Sequence, residues 1–293
     1  MMRSEHSESR HSSPPLLRRR LGSELRRLRE AAGLRTEQIA ERLYCSPSKI
    51  SRVEKGRVTA SVRDVRDMLE LYGVSDQQRA DLLRLADEAR HKDPWWHSCR
   101  DVPDVRTFMA FERATNSIRV YESLTIPGLL QVEGYAELVT RTLLTNLSPP
   151  EVRRHVELRM ARQQLLTRED APALHVVLDE AAIQRLTGMP QVLGEQLDHL
   201  ALVARRPNIS FQVLPYSSGA HEGMSGPFTI LGFPEEADPD VLVVEFPTGE
   251  LYLDSPNYVP RYLRMFEKLQ ATALPEQESA AFIAALSRQL VRG

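Results

Sequence analysis

Cysteine is nearly absent: two residues, Cys45 and Cys99, in a chain of 293. Two thiols in different segments build no disulfide framework, which excludes the small, stapled, secreted class. Tryptophan occurs only as the adjacent pair Trp95-Trp96. No apolar run approaches the roughly 20 residues that cross a bilayer. The opening MMRSEHSESRHSS lacks the apolar core of a secretory leader. A cytoplasmic protein with no membrane contact is therefore expected. Phosphate-loop, dinucleotide, nucleophile-elbow and zinc-protease patterns are also missing. No enzyme class declares itself, so the chain is expected not to be an enzyme and to need no cofactor. His91, His97 and Cys99 come nearest to a metal set, but their spacing fits no zinc pattern and a fourth ligand is lacking.

What is present is length for two cores and an uneven charge. Residues 1–60 hold 14 Lys and Arg against 7 Asp and Glu, whereas the remainder holds 24 against 33. Phosphate binding needs local positive charge, not a basic whole. The acidic remainder discourages non-specific wrapping of nucleic acid.

The basic segment contains TEQIAERLYCSPSKISRVEK at residues 36–55. Ile39, Ala40 and Leu43 fall on one face of a first short helix. Ser46-Pro47 is a start signal, with a hydroxyl to cap and a proline that has no N–H to lose. The second helix turns Ile50 and Val53 inward. Outward it shows Ser48, Lys49, Ser51, Arg52 and Lys55, with no exposed carboxylate until Glu54. Gly56 sits where that helix should end. The bland alternative is an ordinary helical hairpin with a solvated basic face.

This frame resembles the helix-turn-helix of the lambda-Cro repressor and xenobiotic-response-element class of bacterial regulators. The resemblance implies double-stranded DNA as partner, with the second helix in the major groove. Two departures matter. The class usually has Gly in the turn, where this chain has Tyr44. It often has Gln at the start of the first helix, where this chain has Thr36. Carried over residue by residue, the DNA-facing set is Thr36, Ser46, Pro47, Ser48, Lys49, Ser51, Arg52 and Lys55. Arg52 is the best match to a guanine edge. Ser48 and Lys49 lie near base edges, or Lys49 holds a phosphate. Thr36, Ser51 and Lys55 are assigned to phosphate. The class also implies a homodimer on a two-part site.

Around this motif the expected organisation is a disordered tail at 1–15, an all-α five-helix domain of lambda-repressor type at 16–91, and a linker at 92–104. Residues 105–293 are expected to form an α+β domain. Leu21, Leu25, Leu28 and Ala32 repeat at helical spacing, and Gly33 ends that helix. Ser61 caps a fourth helix closed by Gly73, and residues 76–90 make a fifth. Trp95-Trp96 reads as a plug at the domain junction or, less simply, a base-stacking pair.

Beyond 105, Phe108, Phe111, Ile118 and Tyr121 suggest helices. Further helices are expected at 129–143 and 149–168, the second with Arg153, Arg154, Arg159 and Arg162 outward. Strands are expected at 174–178, 209–214, 227–233, 241–246 and 250–253, in a mostly antiparallel sheet of about five strands. Helices at 191–204, 259–271 and 276–291 complete the reading. Tyr121-Glu122, IPGLLQ at 126–131, Tyr135-Ala136 and Gly226-Pro227-Phe228 together resemble the C-terminal domain of a large actinobacterial regulator group. That resemblance implies an antitoxin-like regulator paired with a small protein encoded nearby, and it supplies no mechanism.

Residues 216–226, YSSGAHEGMSG, form the most reactive-looking loop, with Tyr216, His221 and Glu222 as candidate ligand or partner contacts. A plain crossover connection is the alternative. Asp179-Glu180 reads as a helix cap, and Glu235, Glu236, Asp238 and Asp240 as a solvated acidic turn. Three roles for the second domain stay open: a partner-protein module, a small-molecule sensor, or an unrecognised enzyme.

Overall fold

The computed structural model describes residues 13–90, 106–186, 188–235, 238–246 and 249–292. Trp95, Trp96, His91, His97 and Cys99 lie outside these residues, as do the tail to residue 12, Glu236 and Thr248. The described chain divides into two compact units. One runs to Ala114 and takes in 235–238; the other is Thr115–Pro234 with Pro239–Gly293. The division falls at 114/115, and helix α6 (Arg106–Ala114) packs against α1 (Pro14–Ala31).

The first unit is helical. After α1 come α2 (Thr36–Arg42), α3 (Pro47–Glu54), α4 (Val62–Tyr72) and α5 (Asp76–Glu88). Local chemistry fixes their ends. The Ser46, Ser61 and Ser75 hydroxyls accept from the N–H groups of Lys49, Asp64 and Gln78 at 3.2, 2.9 and 3.3 Å. Gly33 and Gly73 close α1 and α4 in the left-handed region, at φ 68° and 66°. The core gathers Leu25, Ile39, Ile50, Val53, Val65 and Leu69, as the apolar spacing requires.

Helix α1 meets the end of α3 backbone to backbone. A Cβ on Gly22 would lie 2.5 Å from the Val53 carbonyl oxygen and 2.6 Å from that of Glu54. A Cβ on Gly56 would lie 2.7 Å from Arg19 Cα. Beside this contact Arg29 donates from Nε and Nη2 to the two oxygens of Glu54, at 2.6 and 3.1 Å. Its Nη1 donates to the Leu34 carbonyl at 2.8 Å. Both side chains are buried.

The second unit is α+β, built on a six-stranded mixed sheet in the order β3-β2-β1-β4-β5-β6. The strands are β1 (Ser117–Glu122), β2 (Ala173–Asp179), β3 (Ile209–Leu214), β4 (Phe228–Gly232), β5 (Val241–Phe246) and β6 (Gly249–Leu253). β1/β2 and β2/β3 pair parallel; the other three pairings are antiparallel. The parallel pairs follow from helical crossovers: α7 (Glu133–Leu143) and α8 (Pro149–Arg162) between β1 and β2, α9 (Glu180–Gln184) and α10 (Pro190–Val203) between β2 and β3. Strand β1 replaces the helix expected around Ile118 and Tyr121. It lies between β2 and β4 with Ile118, Val120 and Tyr121 all buried, so its sequence does not alternate.

One sheet face is covered by α11 (Val259–Thr272), whose Val259, Met265, Phe266 and Leu269 pack on Tyr121, Val177, Phe228 and Leu242. Helix α12 (Glu276–Arg292) packs on α10 and along the edge strand β3. There Ser279 Oγ accepts from Val213 N at 2.9 Å and Leu274 N donates to the Val213 carbonyl at 2.9 Å, which blunts the open edge. Asp238, expected in a solvated turn, is buried instead.

Gly22→Ala should destabilise the helical unit by about 3 kcal/mol, the upper end of overpacking costs, because the clash is with backbone carbonyls. Denaturant unfolding followed by helical circular dichroism checks this. An unchanged midpoint would contradict the close approach.

Candidate nucleic-acid interface

Helix α3 stands on the helical core by Ile50 and Val53, which are buried as expected. Its outward side carries exposed Pro47, Ser48 and Arg52, with Ser46 before it and Lys55 after it also exposed. Ser51 and, on α2, Thr36 are half-buried. Glu54 corrects the reading of α3: it is turned inward to Arg29. It is the one acidic residue of the helix, so the outward face presents no carboxylate. Arg52 donates from Nε to the Ser48 carbonyl at 3.4 Å and is exposed.

Lys49 is placed differently from Arg52. Its Nζ donates to Asp64 Oδ2 of α4 at 2.8 Å, and this bond raises the ammonium above its ordinary pKa. Its charge is met within the protein, whereas Arg52 and, just after the helix, Lys55 form no ion pair among the described residues. Arg35, just before α2, and Arg57, just after Gly56, are further exposed cations that the motif frame passes over.

The turn between α2 and α3 is strained where the sequence departs from its class. Tyr44 is the non-glycine residue with positive φ (50°) among the described residues, and it is 98% exposed. Tyr44 N donates to the Glu41 carbonyl at 3.2 Å and Cys45 N to that of Ala40 at 2.9 Å. This is the Schellman ending, which favours glycine at the Tyr44 position.

In the second unit Tyr216, His221 and Glu222 do not converge. Tyr216 is exposed, and its N–H donates to Glu180 Oε2 at 2.8 Å. Glu222 pairs with Lys268 of α11. His221 lies over the sheet with Nε2 3.5 Å from Asp179 Oδ2, while its Nδ1 is buried without a partner. Tyr121 donates to the same Asp179 oxygen at 3.3 Å. Burial first, then the Asp179 charge, pushes the Tyr121 phenol up. Asp179 Oδ1 caps α9 by accepting from Ala181 N at 2.8 Å, the role expected of it. A Cβ on Gly223 would collide with the Tyr121 ring. Tyr121, Asp179 and His221 are therefore the real cluster, and Tyr121 and Asp179 were not among the expected site residues.

A second polar cluster surrounds the IPGLLQ segment. Gln131 Nε2 donates to the Ile126 carbonyl at 2.6 Å, and Ile126 N donates to the Tyr135 hydroxyl at 3.1 Å. Gln196 of α10 clamps the same turn: Val132 N donates to its Oε1 at 2.9 Å and its Nε2 to the Leu130 carbonyl at 2.7 Å. Arg159 is not outward. It donates to Gln131 Oε1 at 2.8 Å, and burial, then the neighbouring Arg162, push its guanidinium down to about 10. Burial, then Glu245, push the Glu122 carboxyl up to about 8.

Residues 20–82 match the family described as a helix-turn-helix domain, and residues 105–285 match the domain of unknown function DUF5753. No curated protein and no solved structure matches the chain. Among the described residues no helix is long and apolar enough to cross a membrane, and no group of three His, Cys, Asp or Glu side chains is placed to hold a metal.

Two outcomes follow from these environments. Tyr44→Gly should raise the stability of the helical unit by about 1 kcal/mol, by removing a left-handed side-chain penalty. A lower denaturation midpoint would contradict the assigned strain. Glu122 is neutral when folded at pH 7 and ionised when unfolded, so native stability should fall as pH rises from its ordinary value of 4.5 to about 8. Glu122→Gln should flatten that fall in melting curves recorded across the window. A fall unchanged in the variant would assign it to another group.

Proposed function

The chain belongs to the DUF5753 family and carries a helix-turn-helix domain that makes it a DNA-binding regulator. From that premise we propose a cytoplasmic transcriptional regulator of the xenobiotic-response-element class that reads sequence with α3. The observation that carries this reading is the carboxylate-free outward face of α3, with an exposed Arg52 on a helix whose inward acid is locked to Arg29. Arg52 reads a guanine edge through its paired Nη groups. Ser48 lies beside it at the base edges. Lys55, Ser51 and Thr36 hold phosphate and fix the register. A single short reading helix covers few base pairs, so the regulator acts as a homodimer on a two-part site.

The second domain, on this proposal, binds rather than catalyses. Its partner is a small protein encoded nearby, in an antitoxin-like arrangement, which alters affinity for DNA. Support comes from the resemblance carried by Tyr121-Glu122, IPGLLQ and Gly226-Pro227-Phe228. Turnover that disappears on changing His221 or Asp179 would overturn the binding role.

Arg52→Ala should cost about 1–3 kcal/mol at one base position and relax discrimination there. Lys55→Ala should weaken all sites alike and lower the salt slope by about 1. Titrations on matched and singly mismatched duplexes at several salt concentrations separate the two. A uniform loss for Arg52→Ala would turn that residue into a phosphate contact.

A further inference from the structure

We propose that the second domain holds a small-molecule site, between the turn at 128–130, the end of α8 and α10, that takes a monoanionic organic acid with a short aliphatic chain. The site is a cavity of about 230 Å³. Met160 and Leu166 face it from α8 and the 3-10 turn that extends it, Leu129 from the IPGLLQ turn, and Val203 from α10. These four side chains, Leu129, Leu166 and Val203 among them buried, make its apolar part, and Gln163, Gln164 and Thr167 share the lining. His199, one turn before Val203 on α10, and Arg206, three residues after it, supply the polar end.

Three observations set the ligand's charge. No Asp or Glu lines the cavity. The Arg206 guanidinium makes no hydrogen bond or ion pair among the described residues, although it is only partly exposed; the backbone of Arg206 is bonded to Val203 O and Ile209 N. His199 likewise has no partner for either ring nitrogen; burial, then Arg206, hold it below its ordinary pKa, so at neutral pH it offers an N–H without adding charge. A guanidinium and a neutral imidazole beside an apolar wall match a carboxylate on a hydrocarbon tail. Helix α10 ends at Val203, and the roughly −0.5 charge of its C-terminus is exceeded by the full charge of Arg206.

Size sets the rest. The volume lies below the roughly 300–1,000 Å³ of drug-sized sites, which restricts the ligand to a short chain. Gln163, also on the wall, spends its amide N–H groups on the carbonyls of Gln131 and Gly128, at 2.6 and 3.4 Å. The cavity is therefore braced by the same hydrogen-bonded turn that Arg159 and Gln196 hold. The inference does not depend on DNA reading, and its test contains no DNA.

The probes are butanoate, hexanoate, octanoate and octanamide, titrated onto the full-length protein by ligand-observed NMR. Octanoate should bind saturably at one site, each methylene tightening binding about fourfold until the cavity is full. Octanamide, without the charge, should bind at least tenfold more weakly. Arg206→Gln should weaken octanoate about tenfold while leaving the melting temperature unchanged, and Val203→Phe should abolish binding by filling the cavity. Should Val203→Phe unfold, Arg206→Gln and the acid–amide contrast carry the test alone. Absence of saturable binding at millimolar octanoate would overturn the proposal. So would equal binding of acid and amide, or wild-type affinity in Arg206→Gln, either of which means non-specific apolar adsorption.

Discussion

Glu54, the one acid of α3, is buried against Arg29 of α1, and the helical unit depends on that pair. A carboxylate on the outer face of α3 would face the phosphates, and here it is folded under, into a two-point bond with Arg29 of α1. Breaking a buried pair by removing one partner costs about 3–5 kcal/mol, because the remaining charge stays buried. The pair also fixes geometry. It sits beside the place where α1 crosses the end of α3 so closely that Gly22 and Gly56 have no room for a side chain. The packing of α1 on α3 and the absence of a carboxylate from the outer face of α3 both rest on this contact.

The second domain is organised around its turns. Parallel β1, β2 and β3 need helical crossovers, and the first crossover begins with IPGLLQ. Gln131, Gln163, Gln196 and Tyr135 satisfy the backbone of that turn, and Arg159 holds the Gln131 side chain. On the opposite sheet face, Tyr121, Asp179 and His221 hold the 216–226 loop down, with Gly223 against the phenol ring. Neighbours on β1, Tyr121 and Glu122, thus serve opposite faces, as strand alternation dictates.

Much of this was legible because its causes are local. Serine caps at 46, 61 and 75, glycine stops at 33 and 73, and the inward pair Ile50 and Val53 depend on residues a few positions apart. Tyr44 stands out as a departure from the glycine of the class it resembles, and its backbone is left-handed. What was missed depends on distant partners. Ile118 and Tyr121 lie three apart and imitate a helix, because a strand buried on both faces gives no alternating signal. Arg159 reads as a solvated charge until the turn at 131 is folded against it. Lys49 reads as an unpaired surface cation until Asp64, fifteen residues on, is folded beside its ammonium. The Tyr121, Asp179 and His221 cluster spans β1, β2 and a later loop, so no spacing announces it.

The central claim is that α3 reads sequence, and selection of DNA from a random library by the full-length protein, at two salt concentrations, tests it most directly. Enrichment of one two-part motif that persists at the higher salt is the result expected of a dimer reading through Arg52. Binding that falls steeply with salt and enriches no sequence would contradict it, and would leave α3 as a structural helix with a basic face.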